Sequence, residues 1–187
     1  KEVATKNIAT FKGKISNETP LIGIEPSAIL TFRDEYKRLV DDKEAVAEIA
    51  KNTFLIEEFL ANEIILGNIS SEQFTDASQT LKIHNHCHQK ALSNQKVTFD
   101  ILNLPQNYKP TIITSGCCGM AGSFGYEKEH YEVSMKVGEQ TLFPSVRRAS
   151  EETIIIANGT SCRHQIKDGT QRVALHPVSV LLQALKA

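Results

Sequence analysis

The amino-acid sequence predicts an α/β fold in which helices flank a parallel sheet and a metal site lies at the carboxyl ends of the strands. Three observations lead to this prediction. Short apolar runs recur along the chain, amphipathic segments lie between them, and every cysteine follows one of the apolar runs. Strands that alternate with helices are typical of parallel sheets. Such sheets bind ligands beyond the carboxyl ends of their strands.

Five short runs have the composition of buried strands. Each contains about four apolar or β-branched residues and ends in a polar or glycine-containing turn. The runs are residues 21–24, 81–84, 111–114, 153–156 and 172–175. We expect them to pair in one parallel sheet.

The segments between the runs predict helices. Residues 43–64 repeat apolar side chains at helical spacing, with a Glu/Lys-rich surface between them. Residues 127–140 predict another helix, which Pro144 breaks or restarts before a further helix through Val146. The apolar positions of the first helix are Val46, Ile49, Ile56, Phe59 and Leu60.

The last helix is predicted to begin at Pro177, since proline is favoured in the first turn. Its buried side is predicted to carry Val178, Leu181, Leu182 and Leu185. Residues 67–80 are polar and predict a surface loop or a short helix. A strand–turn–helix pattern occurs twice, in residues 21–36 and 153–167.

Composition limits the classes of function. The chain has 187 residues, 41% of them hydrophobic and 23% charged, which fits one domain or two small halves with a shared core. The net charge of −1 and the lack of a basic stripe argue against nucleic-acid binding. No transmembrane segment or signal peptide is predicted. Because the first residue is Lys1, we expect a fragment of a larger protein.

The four cysteines form the most informative pattern. Cys87 stands alone, Cys117 and Cys118 are adjacent, and Cys162 stands alone, each after a predicted strand. Sparse cysteines without an export signal favour a reducing, cytoplasmic location and metal or redox chemistry over disulfides. Four thiolates are what one iron–sulfur cluster or one closed zinc site requires. The sequence therefore predicts that these cysteines converge on one metal.

Glycines and histidines surround the predicted site. Glycine permits positive φ angles and close backbone approach to a bulky ligand, and successive amides can form a nest for anionic sulfur. Gly116, Gly119 and Gly122 are therefore predicted to bind the cofactor. If residues 84–88 are extended, their histidines face away from Cys87. The predicted surroundings of the metal are His84, His86, His88 and, after the last strand, His176.

These motifs resemble the cysteine-rich CCG domain. Cys117-Cys118-Gly119, with a lone cysteine on either side, is similar to segments of the cysteine-rich subunits of heterodisulfide reductase and of anaerobic glycerol-3-phosphate dehydrogenase, and of glycolate and lactate oxidation proteins. The C-terminal part of FAD-linked oxidase/iron–sulfur fusion proteins that oxidise D-2-hydroxy acids has similar motifs. The matching stretches are residues 23–27, 33–36, 86–92, 117–125, 159–163 and 176–177.

The resemblance implies an iron–sulfur electron-transfer domain of a D-2-hydroxy acid dehydrogenase, of the lactate, glycolate or 2-hydroxyglutarate type. It implies a 4Fe-4S cluster on the four cysteines, and FAD-binding and ferredoxin-like domains upstream in the same polypeptide. Electrons would pass to an acceptor such as a quinone, with association to a membrane only through partners. The isolated chain would not be catalytic alone, and the sequence identifies no catalytic residue.

Two departures from the family pattern stand out. Many CCG domains end in Cys-x-x-Cys, whereas Gly159 takes the first of these positions here, and Ala28 stands where several relatives carry a cysteine. The family normally has two repeats. The resemblance therefore assigns residues 1–66 to the end of a first repeat and residues 80–187 to a second.

Three alternatives to the iron–sulfur centre remain. The cysteines, with or without a histidine, can form a structural zinc site that braces the same flavoenzyme. The adjacent Cys117 and Cys118 can instead carry out thiol redox chemistry. Finally, free cysteines are often only small buried apolar residues.

Overall fold

The computed structural model describes residues 1–186 and has parallel strands flanked by helices, which confirms the predicted fold class. Strands β1 and β2 form a two-stranded parallel sheet, and a four-stranded parallel sheet has the order β4-β3-β5-β6. The strands are β1 (Leu21–Gly23), β2 (Thr53–Leu55), β3 (Gln79–His84), β4 (Tyr108–Ile112), β5 (Ile154–Ala157) and β6 (Ala174–Leu175).

The helices alternate with the strands along the chain. They are α1 (Glu2–Phe11), α2 (Pro26–Ile29), α3 (Glu35–Leu39), α4 (Lys43–Lys51), α5 (Ile56–Ile65), α6 (Cys87–Leu92), α7 (Lys96–Leu102), α8 (Tyr131–Glu139), α9 (Leu142–Arg147), α10 (Thr160–Thr170) and α11 (Pro177–Ala184). Short 3-10 helices cover Leu30–Phe32, Ser71–Gln73 and Phe124–Tyr126.

Helices cover both faces of the four-stranded sheet. Because side chains alternate along a strand, Ile155 of β5 packs with α9 and α10 on one face, while its neighbour Ile156 packs with α7 and α11 on the other. Cys118 and Cys162 belong to the first of these apolar clusters. The two-stranded sheet has its own core, which α1 and α4 close with Ile8 and Ile49.

Strand β2 and the second sheet are the largest correction to the predicted fold. The helix expected over residues 43–64 is interrupted, because Asn52 ends α4 and its side-chain amide donates to the carbonyl oxygen of Glu48 at 3.0 Å. Thr53 and its neighbours then pair with β1 in parallel register. The run at 21–24 therefore lies in a separate sheet from the other predicted strands, because strand pairing outweighs the helical periodicity.

The remaining strand predictions are confirmed with shifted ends. Strand β4 begins earlier than the predicted run at 111–114 and contains Pro110, which an edge strand tolerates because one side needs no backbone donor. Strand β6 has only two residues. Strands β1, β3 and β5 start within two residues of the predicted positions.

The helix predictions are confirmed in part. Helix α8 begins at Tyr131, later than expected, and Pro144 lies in the first turn of the separate helix α9. Helix α11 begins at Pro177 as predicted, but the prediction that Leu182 and Leu185 are buried is wrong, since they are 68% and 48% exposed. The segment 67–80 contains a 3-10 helix and the start of β3.

Candidate metal centre

Three loops at the carboxyl edge of the four-stranded sheet carry the cysteines. Cys87 is the first residue of α6 after β3, Cys117 and Cys118 follow β4, and Cys162 lies in the first turn of α10 after β5. Because β4, β3 and β5 are neighbours in the sheet, their carboxyl ends meet at one edge. Residues far apart in sequence therefore come together there.

The four cysteines, here called the thiol cluster, line one cavity. The sulfur atoms of Cys118 and Cys162 lie within 4.8 Å of each other, and Cys117 packs against the same apolar cluster as these two residues. Cys118 and Cys162 are buried, and Cys87 and Cys117 are half-buried. None of the four forms a disulfide in the described structure. The four thiols thus lie around one cavity, and two of them, with His84, have ligand atoms close enough to share one ion.

Hydrogen bonding within the thiol cluster separates the pKa values of its members. The bond with Cys117 raises the pKa of Cys87 and also that of Cys118. Bonds from Cys118 lower the pKa of Cys117 and of Cys162. A cation in the cluster would favour loss of the thiol protons, because only thiolates are effective metal ligands.

Backbone amides around the adjacent cysteines face their sulfur atoms. The amide of Gly119 donates to Cys117 Sγ at 3.3 Å. The amides of Gly119 and Ala121 add to the lowering of the Cys117 pKa, and the amide of Met120 partly opposes the rise in the pKa of Cys118. Gly119 has a φ of 101°, and a Cβ there would lie 2.1 Å from the carbonyl oxygen of Ser134. This turn therefore requires glycine.

The other two glycines of the predicted site, Gly116 and Gly122, are not hydrogen-bond donors to Cys117 Sγ as Gly119 is. Gly122 has a φ of 70° and lines the cavity beside the cysteines. Gly116 is exposed, and its carbonyl oxygen accepts from Lys90 Nζ at 2.8 Å. The same ammonium group donates to the carbonyl oxygen of Ser115 at 2.7 Å, so Lys90 ties α6 to the loop that precedes Cys117.

His84 lies directly against the thiol cluster. Its side chain is completely buried at the end of β3, and its Nδ1 lies 2.8 Å from Ser115 Oγ. Its Nε2 has no partner that meets the distance and angle of a hydrogen bond, although the ring lies close enough to Cys162 to help lower the pKa of that thiol, after the larger contribution of Cys118. The ligand atoms of His84, Cys118 and Cys162 all lie within 4.8 Å of one another.

His86 and His88 occupy the start of α6, so residues 84–88 are not extended throughout. His86 caps the helix, with Nδ1 accepting from the amide of His88 at 3.1 Å. The two rings stack with centroids 5.5 Å apart. Burial lowers the pKa of His86. Since Cys87 enters a helix instead of a strand, the predicted alternation that set Cys87 apart from the histidines is wrong.

His176 lies outside the thiol cluster. It caps α11 with Nδ1, which accepts from the amide of Val178 at 3.2 Å, and its Nε2 lies 3.1 Å from the carbonyl oxygen of Ile24. Both ring nitrogens therefore have protein partners. His176 joins the last helix to the end of β1, so its contacts are those of a structural residue.

An open cavity of about 480 Å³ borders the thiol cluster. Glu25, which the sequence pattern places only in a turn, lines it together with Ser27. Burial raises the pKa of Glu25, but hydrogen bonds from Thr160 and Ser27 outweigh this and leave the pKa below its ordinary value. The bond from the Thr160 amide, at 2.8 Å, attaches the loop after β1 to the first turn of α10.

Gly159 borders both His86 and Cys162. A Cβ at this position would lie 2.4 Å from His86 Cδ2 and 3.3 Å from Cys162 Sγ. A side chain here would point at the thiol cluster, as a further cysteine of the family pattern would. In this chain the ring of His86 fills that space.

A buried amide network, which no sequence motif predicts, lies beside the site. Asn158 Nδ2 donates to Glu57 Oε1 at 3.0 Å and to Gln89 Oε1 at 2.8 Å. Asn158 Oδ1 accepts from the amide of His86 at 3.2 Å, and Gln89 Nε2 donates to Thr98 Oγ1 at 2.8 Å. Burial raises the pKa of Glu57 to about 7. We call Glu57, Gln89, Thr98 and Asn158 the amide network.

The donor set fits a soft or borderline metal ion. Thiolate sulfur and imidazole nitrogen are the ligands that zinc and iron–sulfur centres use, and the unpartnered Nε2 of His84 lies among the sulfur atoms. No carboxylate oxygen belongs to the group of close ligand atoms found in residues 1–186. The arrangement could therefore hold a thiolate-bound metal and does not resemble a magnesium or calcium site.

The chain is similar to two kinds of curated protein. It is 26% identical to D-2-hydroxyglutarate dehydrogenase of Haemophilus influenzae over 183 residues, and 27% identical to that of Escherichia coli K12 over 184 residues, covering 97% of this chain in both cases. It is 29% identical over 102 residues, or 54% of its length, to a subunit of anaerobic glycerol-3-phosphate dehydrogenase from Escherichia coli K12.

The chain spans only part of these relatives. It covers 18% and 17% of the length of the two D-2-hydroxyglutarate dehydrogenases and 25% of the glycerol-3-phosphate dehydrogenase subunit. No family model matches the chain, and no solved structure matches it. Within residues 1–186, no helix has the length and apolar character needed to cross a membrane.

The relatives are dehydrogenases, and the match to the D-2-hydroxyglutarate enzymes runs along nearly the whole chain. This agrees with the resemblance that the cysteine motifs predicted, and with a place for the chain in an oxidoreductase. The predicted resemblance is therefore confirmed: the chain is homologous to a segment, less than a fifth in length, of D-2-hydroxyglutarate dehydrogenases.

Proposed function

We propose that this chain is the iron–sulfur electron-transfer domain of an FAD-dependent D-2-hydroxy acid dehydrogenase. Cys87, Cys117, Cys118 and Cys162 would supply the thiolates. The proposal rests on one observation above all, that four thiols from three loops at one edge of the sheet line a single cavity. An iron–sulfur cluster on four cysteines would accept and release electrons singly.

The chain's own residues would position and tune the cofactor. The amides of the loop after Cys117 face the sulfur atoms, and such hydrogen bonds raise the reduction potential of iron–sulfur centres. Gly119 lets the backbone turn there, and Gly116 and Gly122 complete the loop. His84, His86 and His88 would surround the cofactor, while His176 would support the site from the neighbouring helix.

The longer polypeptide would supply the remaining steps. Its FAD would accept a hydride from the D-2-hydroxy acid, whose hydroxyl proton passes to a base, and electrons would then leave one at a time through iron–sulfur centres. The relatives' names favour a substrate of the 2-hydroxyglutarate type over lactate or glycolate. Ferredoxin-like domains of the same polypeptide and an acceptor such as a quinone would be the partners, in the cytoplasm or at a membrane.

Residues 1–66 and 80–187 would be the end of one repeat and a second repeat of the cysteine-rich domain. Two strand–turn–helix units, one beginning with β1 and the other with β5, support this division. The two units contact each other where the Thr160 amide donates to the Glu25 carboxylate. The first unit carries no cysteine. The thiol cluster would thus belong to the second repeat alone.

A structural zinc site is the second candidate. The observation that favours it is the compactness of His84, Cys118 and Cys162, whose ligand atoms lie within 4.8 Å of one another. Ligand atoms around one tetrahedral zinc ion lie closer together than the cysteine sulfurs around a large cluster, since zinc binds sulfur at about 2.3 Å. Zinc would brace the three loops and carry no electrons.

Metal analysis of the protein after anaerobic purification and reconstitution separates these functions. We expect a brown protein that contains iron and acid-labile sulfide and gives an electron paramagnetic resonance (EPR) signal on reduction. A colourless protein with one zinc ion would support the bracing site. A metal-free protein that cycles Cys117 and Cys118 between thiols and a disulfide would overturn both metal functions.

A further inference from the structure

His84 is a buried imidazole with one nitrogen anchored and the other free. Its Nδ1 lies 2.8 Å from Ser115 Oγ, whereas its Nε2 has no hydrogen-bond partner although the residue is fully buried. Buried polar atoms without partners are rare in native proteins, and each one calls for an explanation such as an ion that completes the site. His84 therefore differs from an ordinary core histidine.

The free nitrogen lies among the buried sulfur atoms. The ligand atoms of His84, Cys118 and Cys162 are within 4.8 Å of one another, and all three residues are buried. The ends of β3 and β5 bring His84 and Cys162 to this point, because β3 and β5 are paired, with His84 opposite Ala157. The imidazole is therefore held in place by the sheet and does not depend on a mobile loop.

The other histidines near the site use their nitrogens differently. His176 has protein partners at both ring nitrogens. His86 Nδ1 accepts from the amide of His88, and its ring borders the open cavity. His84 alone among these three combines complete burial with an unpartnered nitrogen beside the thiol cluster.

We propose that His84 Nε2 is a direct ligand of the metal centre in place of one of the four thiolates, so that it shares the metal with three cysteines, Cys118 and Cys162 among them. Nδ1–H would donate to Ser115 Oγ, which leaves the lone pair of Nε2 for the metal. Ser115 would be the positioning residue, since an outer hydrogen bond fixes the tautomer and orientation of a metal-bound histidine. This inference rests on the proposed function, namely that the thiol cluster binds a metal.

The test uses the full chain with ¹⁵N-labelled histidine, reconstituted anaerobically with iron and sulfide and then reduced. Pulsed EPR should detect a histidine nitrogen coupled to the electron spin in the wild-type protein. His84→Ala should abolish this coupling, and His86→Ala should retain it. If the protein binds only zinc, the same spectra are recorded after Co²⁺ replaces the zinc.

Ser115→Ala provides a second measurement that does not depend on the folding of His84→Ala. It should keep the nitrogen coupling and lower metal affinity by roughly 10- to 100-fold. A metal-loaded wild type without histidine coupling, or a coupling lost in His86→Ala and kept in His84→Ala, would overturn the role of His84 alone. A wild type that binds no metal would overturn the proposed function together with this inference.

Discussion

The thiol cluster and the amide network lie side by side at the carboxyl edge, yet their polar atoms are satisfied differently. In the amide network, the side chain of Asn158 donates to Glu57 and Gln89 and accepts from the His86 amide. Gln89 in turn donates to Thr98. In the thiol cluster, the amide of Gly119 donates to Cys117 Sγ, and the adjacent Nε2 of His84 has no partner.

This difference separates a structural network from a binding site. Most donors and acceptors of the amide network are matched within the protein, with Glu57 Oε2 as the exception, and such matching stabilises the fold without any added group. The sulfur atoms beside the unpartnered nitrogen of His84 are instead ligand atoms suited to a soft metal. We therefore expect substitutions in the thiol cluster to change metal binding, and substitutions in the amide network to change stability.

The largest effect is expected for Cys118→Ser. Cys118 is buried and its sulfur lies within 4.8 Å of the ligand atoms of His84 and Cys162, and a serine hydroxyl is a poor ligand for soft metals. Bound metal, measured by elemental analysis after anaerobic reconstitution, should fall to background. Ser123→Ala on the exposed part of the same loop is the matched control and should bind as the wild type does. A Cys118→Ser protein with full metal content would contradict the assigned ligand set.

Asn158→Ala should produce the largest loss of stability in the amide network. The substitution removes three hydrogen bonds and leaves Glu57, Gln89 and the His86 amide with buried unpaired groups. We expect the free energy of unfolding of the metal-free protein to fall by roughly 3 to 5 kcal/mol, as measured by urea denaturation. The exposed control Asn68→Ala should change it by less than about 0.5 kcal/mol. An equally small effect of Asn158→Ala would remove the distinction between the two regions.

Glu57 gives the amide network a pH dependence. Its pKa is about 7 in the folded protein against an ordinary value of 4.5, because burial penalises the carboxylate. The folded state then binds the proton more tightly than the unfolded state, so the free energy of unfolding falls as pH rises between these values. The expected change is roughly 3 kcal/mol.

Glu57→Gln should remove this part of the pH dependence, because the amide does not titrate. Urea denaturation of the metal-free proteins at about pH 5 and about pH 8 measures this effect. The free energy of unfolding should differ less between the two pH values in the variant than in the wild type. Equal differences for wild type and variant would mean that Glu57 is charged in the folded protein throughout this range.

The sequence predicted the residues of the thiol cluster but not those of the amide network. The cysteines were predictable because each follows an apolar run, and neighbouring parallel strands deliver such residues to one edge. Glu57 gave no comparable signal. It lies on a helix whose surface is rich in charged residues, and only the tertiary packing of α5 against the rest of the protein places it at 0% exposure.

Local conformation was less predictable than the overall fold. Strand β2 was hidden in a helical pattern, because three residues that pair with β1 interrupt the periodicity only briefly. The helix start at Cys87 was missed because His86 acts as a cap through its ring nitrogen, a role that sequence preferences for caps do not favour. These errors changed the expected relation of Cys87 to the histidines but not the convergence of the cysteines.

The smallest effect is expected for substitution of Lys90, a surface side chain that joins helix α6 to the loop before Cys117. Lys90 Nζ donates to the carbonyl oxygens of Ser115 and Gly116 at 2.7 and 2.8 Å, which holds α6 against the loop before Cys117. Lys90→Met keeps the aliphatic part of the side chain and removes these bonds. The free energy of unfolding should fall by about 1 kcal/mol, since the pair is only partly buried, and metal should still bind. If Lys90→Met lost metal as completely as Cys118→Ser, the thiol cluster would depend on this tether for its geometry, and the sheet alone would not be sufficient to bring the cysteines together.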